Sequence, residues 1–221
     1  MPPEAAREAL AGICAELALD VTTAQTDKLL AYLDLLQRWN ATYNLTAVRD
    51  PAQMLVQHIA DCLAVAPPFR REMGAGSARR VLDVGSGGGL PGVVLAALEP
   101  SWQVICVDAV GKKAAFVRQV AAELALPNLG AEHARVEALN AVPFDLITSR
   151  AFASLADFVR LTRGHLKPAG RWAAMKGKRP DDELAAVPAD VEVFHVEPLR
   201  VPRLAAERCL VWMRRFAPAS A

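Results

Sequence analysis

Apolar residues in the first 66 positions recur at helical spacing: Leu29, Leu33, Leu36 and Trp39 fall three and four apart and make one stripe. Asp50, ahead of Pro51 and three residues before Gln53, is a helix start signal for a segment running to about Ala66. Pro67-Pro68 and Gly74-Ala75-Gly76-Ser77 then read as a linker. From Arg80 the period changes. Short β-rich runs (80–84, 102–108, 129–133, 143–149, 171–176, 191–196 and 208–214) alternate with helical stretches near 91–98, 111–125 and 154–166. That rhythm predicts an α/β fold with a mostly parallel sheet. Only Pro-containing loops separate the last two strands, so they are expected to form an antiparallel edge. The pattern divides the chain into an N-terminal helical extension, 1–75, and an α/β domain, 76–221.

Composition narrows this picture. The 221 residues, 53% of them hydrophobic, can bury a substantial core. Cys14, Cys62, Cys106 and Cys209 are far apart and form no CxxC pair, so neither a zinc site nor a disulfide framework is expected. Free thiols imply a reducing compartment. Met1 is followed by Pro2, Pro3 and Glu4 instead of a basic and then apolar signal, and no apolar run approaches the roughly 18 residues of a membrane span. A soluble cytoplasmic protein without a metal is expected, with a monomer as its state.

The net charge of +1 hides an asymmetry. Residues 1–34 carry six acids against Arg7 and Lys28, whereas residues 150–180 carry eight bases against Asp157 alone. A basic face is one reading and a solvated surface is the other.

The densest chemical signal is DVGSGGGLPG, residues 83–92, with five glycines directly after the first predicted strand. Such a loop lets a ligand lie against the main chain. Gly87, Gly89 and Gly92 fit the G-x-G-x-x-G of dinucleotide sites, but Asp83 at the entrance would repel a pyrophosphate. S-adenosylmethionine has no phosphate and carries an ammonium and a sulfonium, so it suits Asp83, Ser86, Gly87 and Gly89 better. Asp108, closing the second predicted strand, can accept ribose hydroxyls from either cofactor, or can cap the helix ahead of Gly111. The GKK at 111–113 is not a phosphate loop, because the upstream glycine and the following Ser or Thr are missing.

WNATYNLTAVRDP (39–51), HIADCL (58–63), the glycine loop, VDAVGKKAAFVRQV (107–120), SRAFASL (149–155) and AAMKGKRPDDE (173–183) together resemble one family, the bacterial small-subunit ribosomal RNA guanine-N7 methyltransferases. The resemblance runs from about Leu29 to Val211, and its departures at Cys62, Gly88 and Leu90 are conservative in size. It implies a Rossmann-like methyltransferase sheet, S-adenosylmethionine as methyl donor and the N7 of one guanine in 16S rRNA, within the 30S subunit, as acceptor. It also implies cofactor contacts at Gly85, Leu90, Val136, Glu137 and Arg150.

Elementary chemistry agrees with that implication. Guanine N7 is an unprotonated lone pair, so attack on a sulfonium methyl needs alignment and no general base. No Ser-His-Asp or Cys-His arrangement is evident. His58 and Asp61 are expected to border the RNA pocket, although His58 and Cys62, four apart, also fit burial at a helix interface. Arg150, ending the fourth predicted strand, is expected to join cofactor and RNA, the alternative being an ion pair with Asp145 or Asp157. Lys176, Lys178 and Arg179 are the expected phosphate contacts. A small-molecule or protein methyltransferase, a non-catalytic RNA-binding factor and a dehydrogenase stay open at this point.

Overall fold

The structure, a computed structural model, describes residues 1–74 and 76–216. Among these residues seven strands form one sheet, in the order β3-β2-β1-β4-β5-β7-β6. They are β1 (Arg79–Val84), β2 (Trp102–Asp108), β3 (Leu129–His133), β4 (Phe144–Arg150), β5 (Leu166–Lys176), β6 (Val191–Pro198) and β7 (Cys209–Arg215). The first five are parallel, and β7 runs antiparallel to both β5 and β6. Val81, Leu82 and Val84 of β1 are all buried, the continuous apolar run expected of a parallel strand covered on both faces.

Two helices, α6 (Gly92–Leu98) and α7 (Gly111–Glu123), pack with the N-terminal helices on one face of the sheet, in one apolar cluster that reaches from Leu10 to Trp212. Helix α8 (Leu155–Thr162) packs Leu155, Phe158 and Val159 against Trp172 and Val211 on the other. The chain passes from β3 to β4 across β1, so strand order reverses between β1 and β4. A crevice opens beyond their carboxyl ends, where ligands bind in sheets of this type.

The N-terminal helices are α1 (Pro3–Glu16), α2 (Thr23–Tyr43), α3 (Pro51–Met54), α4 (Asp61–Leu63) and α5 (Ala66–Met73), with a π-helical turn, Leu55–Ala60, joining α3 to α4. Thr22 and Gln25 form a reciprocal cap for α2, and Asp50 accepts from the Gln53 amide at 2.8 Å as the sequence predicts. Pro67-Pro68 corrects the linker reading: both lie in the first turn of α5, where the missing amide hydrogens cost no helical bond. Helix α8 also stops at Thr162, four residues early, and β5 begins at Leu166 instead of 171, with an irregular pairing between Phe144 and Leu146. A short helix the pattern did not predict, α9 (Asp181–Ala185), follows β5. Among the described residues no helix is long and apolar enough to cross a membrane.

Candidate active site

The glycine loop leaves β1 at Gly85 and enters α6 at Gly92. It is held from below and above. The Gly85 amide donates to Val107 O at 2.9 Å, Gly87 N to Asp108 Oδ2 at 3.0 Å and Gly92 N to Asp83 Oδ2 at 2.8 Å, while Tyr32 Oη of α2 donates to Gly88 O at 2.8 Å. Gly85 has φ +64°, and a Cβ there would lie 2.5 Å from Phe152 Cδ2, so only glycine fits. Gly89 turns the chain over Val93 and Val117.

Two hollows flank this loop. One, of about 610 Å³, is lined by Ser86, Gly87, Leu90, His58, Asp61, Arg150, Lys176 and Arg208 among others. The other, of about 140 Å³, is lined by Val84, Asp108, Val136, Glu137, Phe152 and Leu161. Gly85 borders both. The sites expected at Gly85, Ser86, Gly87, Leu90, Asp108, Val136, Glu137 and Arg150 therefore converge on one crevice, whereas Gly89, expected among them, borders neither hollow.

Asp83 does not join them. It is fully buried and borders neither hollow, so the expectation that its carboxylate faces a ligand is corrected. One oxygen ties the Gly92 amide and lies 3.9 Å from the Cys106 thiol, and the other has no partner among the described residues. Burial pushes its pKa up to about 7, against the opposing effect of the Gly92 bond. Asp83 is an internal brace for the loop. Asp108 caps no amide of α7: its Oδ1 accepts from the N–H of Val110, the residue before the helix, at 2.8 Å, and its Oδ2 holds Gly87.

Arg150 makes neither of the ion pairs considered for it: Asp145 pairs with Lys167 and Asp157 with Arg160. Its Nη1 instead donates to Asp61 Oδ2 at 3.2 Å and to Gln57 O at 3.0 Å. Asp61 also accepts from Arg208 Nε at 2.8 Å. Beside it, His58 Nε2 lies 2.9 Å from Thr46 Oγ1, and Asn40 Oδ1 accepts from Thr46 N at 2.8 Å, which accounts for the N-L-T-A stretch as a shaped wall. Burial and the Arg150 charge lower the His58 pKa to about 4, so its ring is neutral near pH 7.

The basic run 150–180 is not one surface. Arg150, Arg160, Arg163, Lys167, Arg171, Lys176 and Arg179 each meet an acid. Lys167 and Arg171 lie on the opposite edge of the sheet from the crevice, near the start of β5, in a hollow with Glu72 and Asp145. Counting charge over 150–180 missed these partners because all but Asp157 lie outside that window: Asp61, Glu72 and Asp190 in other segments, and Asp145, Asp181 and Glu183 just beyond its two ends. Of the three expected RNA contacts, Lys176 lines the crevice, paired with Glu183 at 2.7 Å. Exposed Arg179 pairs with Asp181 at 2.7 Å, and exposed Lys178 has no acidic partner among the described residues.

Sequence reasoning missed Arg208, Tyr32 and Phe152. Phe152 lay in view inside SRAFASL; Tyr32 and Arg208 carried no local signal.

Solved structures share this architecture at low identity. TrmN from Thermus thermophilus matches with a TM-score of 0.56 and 20% identity over 70% of this chain and 49% of its own. The ribosomal protein L11 methylase from Lactobacillus delbrueckii subsp. bulgaricus gives 0.53 and 17% over 70% and 78%. Curated relatives are much nearer. "Ribosomal RNA small subunit methyltransferase G" of Leptothrix cholodnii is 59% identical over 97% of this chain and 98% of its own length. The protein of the same name from Bordetella avium is 54% identical over 97% and 96%. The family model described as rRNA small subunit methyltransferase G matches residues 25–211, from α2 into β7, so the helices that roof the crevice and the strands that line it are covered together, and the chain belongs to that family.

Proposed function

We propose that the protein transfers the methyl group of S-adenosylmethionine to the N7 of one guanine in 16S ribosomal RNA. The observation that carries this reading is the division of the crevice about Gly85, in a chain whose relatives are named for methylating small-subunit rRNA. The smaller hollow suits an adenosyl group. Val84, Val136, Phe152 and Leu161 offer apolar walls, and Glu137 stands at the edge for the adenine amine. A carboxylate has about four acceptor positions. Asp108 uses two on Gly87 and Val110, which leaves room for both ribose hydroxyls. When bound, S-adenosylmethionine supplies an electrophilic methyl on a sulfonium.

The chain's own work is alignment. Leu90, Gly87 and Arg150 border the larger hollow, where the acceptor base would enter. No residue need remove a proton from N7, and a neutral His58 is consistent with that. Holding nucleophile and methyl in line can supply up to about 7–11 kcal/mol. Because N7 of a paired guanine lies in a deep, narrow groove, the target is an unpaired or splayed base. Arg150 borders both ligands, His58 and Asp61 shape the acceptor side, and Lys176, Lys178 and Arg179 meet the RNA backbone. The enzyme works in the cytoplasm as a monomer on 30S particles.

Labelled methyl transfer from S-adenosylmethionine to 30S particles and to deproteinised 16S rRNA, with the product nucleoside identified, tests this directly. The expected product is 7-methylguanosine at a single position. Label on another base or atom, or none in either RNA, overturns the proposal.

A further inference from the structure

Arg208 belongs to the crevice although no motif or charge run marks it. Strand β7 is antiparallel to β5, and its first residue, Cys209, pairs with Lys176, the last of β5. The residue just before β7 therefore emerges at the same edge as the carboxyl ends of the parallel strands. There Arg208 lines the larger hollow and shares the Asp61 carboxylate with Arg150.

The charges at this point are arranged for an anion. The Asp61 side chain is only 4% exposed, and each of its oxygens accepts from one guanidinium. A guanidinium has five N–H donors. Arg150 spends two on Gln57 O and Asp61, and Arg208 spends two on Asp61 and Glu207 O, so three remain on each without a protein partner among the described residues. Two guanidiniums against one carboxylate leave a net positive charge. Neutral His58 adds nothing to it, and Lys176 is offset by Glu183. Position decides which ligand supplies the anion. In the order β1-β4-β5-β7, β7 is the third strand from β1. At about 4.8 Å per strand, the main chain at Arg208 stands roughly 14 Å from that of the glycine loop, and its side chain returns toward β4 to reach Asp61. A cofactor seated over β1 and β2 lies across the larger hollow from β7, whereas a polynucleotide entering from the β5–β7 side meets Arg208 first.

We infer that Arg208 and Arg150, bridged by Asp61, form a clamp for a backbone phosphate of the RNA substrate, with Asp61 as the residue that positions both forks. This rests on the reading that the substrate is RNA. Arg208→Gln, Arg208→Lys and Asp61→Asn are compared with the parent by calorimetric titration of S-adenosylmethionine, by binding of 16S rRNA across a salt series, and by steady-state methyl transfer to 30S particles. Melting temperatures are recorded for each. Arg208→Gln should raise KM for the particle about tenfold, leave cofactor affinity unchanged, and flatten the slope of log affinity against log salt by roughly 0.7–0.9. Arg208→Lys keeps a charge beside Asp61 and loses the fork, so it should melt like the parent and show an intermediate loss.

Asp61→Asn separates positioning from charge. Removing a negative group should leave RNA binding equal or tighter, yet kcat should fall at least tenfold because the forks lose their common anchor. Parent-like KM and salt slope in both Arg208 variants overturn the clamp while the parent's methyl transfer stands. Loss of cofactor binding in Arg208→Gln also overturns it. A parent that binds rRNA through Arg208 without methylating it supports the clamp and overturns the reaction.

Discussion

At the scale of single residues, two of the buried titratable groups near the glycine loop, His58 and Asp83, respond to pH in opposite directions. His58 is lowered from 6.5 to about 4, so between those values the unfolded chain binds more protons than the native one. Its contribution therefore makes stability fall as pH drops from about 6.5 toward 4. Melting curves over that range should lose this slope in His58→Gln, and the native imidazole should titrate near 4 by NMR. Asp83 is raised from 3.8 to about 7, so the native chain holds its proton while the unfolded chain has lost it. Its contribution declines as pH rises from about 4 to 7 and is constant above. Asp83→Asn keeps an acceptor for Gly92 and fills the unpaired position with an uncharged group. Its melting temperature relative to the parent should climb across that interval and then level off. A flat difference would show that Asp83 is neutralised in some other way. The sequence made Asp83 legible as special, but not as buried: a carboxylate beside five glycines reads the same whether it faces a ligand or the core.

At the scale of elements, the N-terminal helices matter because α2 touches the loop directly. Tyr32 is fully buried, and its hydroxyl is the tie to Gly88 O. Tyr32→Phe keeps the ring against Phe116 and removes only that bond. The expected cost is about 0.5–1.5 kcal/mol of stability, with weaker cofactor binding as the loop loosens; unchanged cofactor affinity would confine α2 to packing. Strands were the most legible elements, since a run such as WQVICVD is long, β-branched and apolar, and β2 occupies those same residues. Helix boundaries were less so. Pro67-Pro68 looked like a break because proline is excluded from helix interiors, and only the position of the preceding helix end reveals that this pair starts a new one. The turn Leu55–Ala60 is π-helical, which periodicity cannot distinguish from α, yet it carries the Gln57 carbonyl that receives Arg150.

At the scale of the whole molecule, the resemblance and the βα rhythm together made the fold class and the cofactor edge legible, while the acceptor edge was legible only in part. Asp108, Val136 and Arg150 stand at or just after strand ends, which a linear reading can locate. Arg208 reaches the same edge through an antiparallel return, and a linear reading has no register for that. The charge run failed because its window left out most of its counterions, Asp61 and Glu72 in distant segments and Asp181 and Glu183 just past its end. A double reversal, Lys178→Glu with Arg179→Glu, should thus weaken rRNA binding mainly through Lys178; filter binding should show Arg179→Glu alone as the milder change. The position of β7 also sets an order of events during synthesis. β7 is last of the seven strands in the chain, yet it sits between β5 and β6 in the sheet. A growing chain can zip β1 to β5 as they appear, but β6 has no neighbour to join and β5 keeps a bare edge until β7 arrives. A fragment ending at residue 200 should accordingly expose that edge, aggregate on standing and lack RNA affinity. The wall of the crevice that carries Arg208 is therefore the last part of the sheet to be completed, and the crevice stays open on that side until β7 has docked.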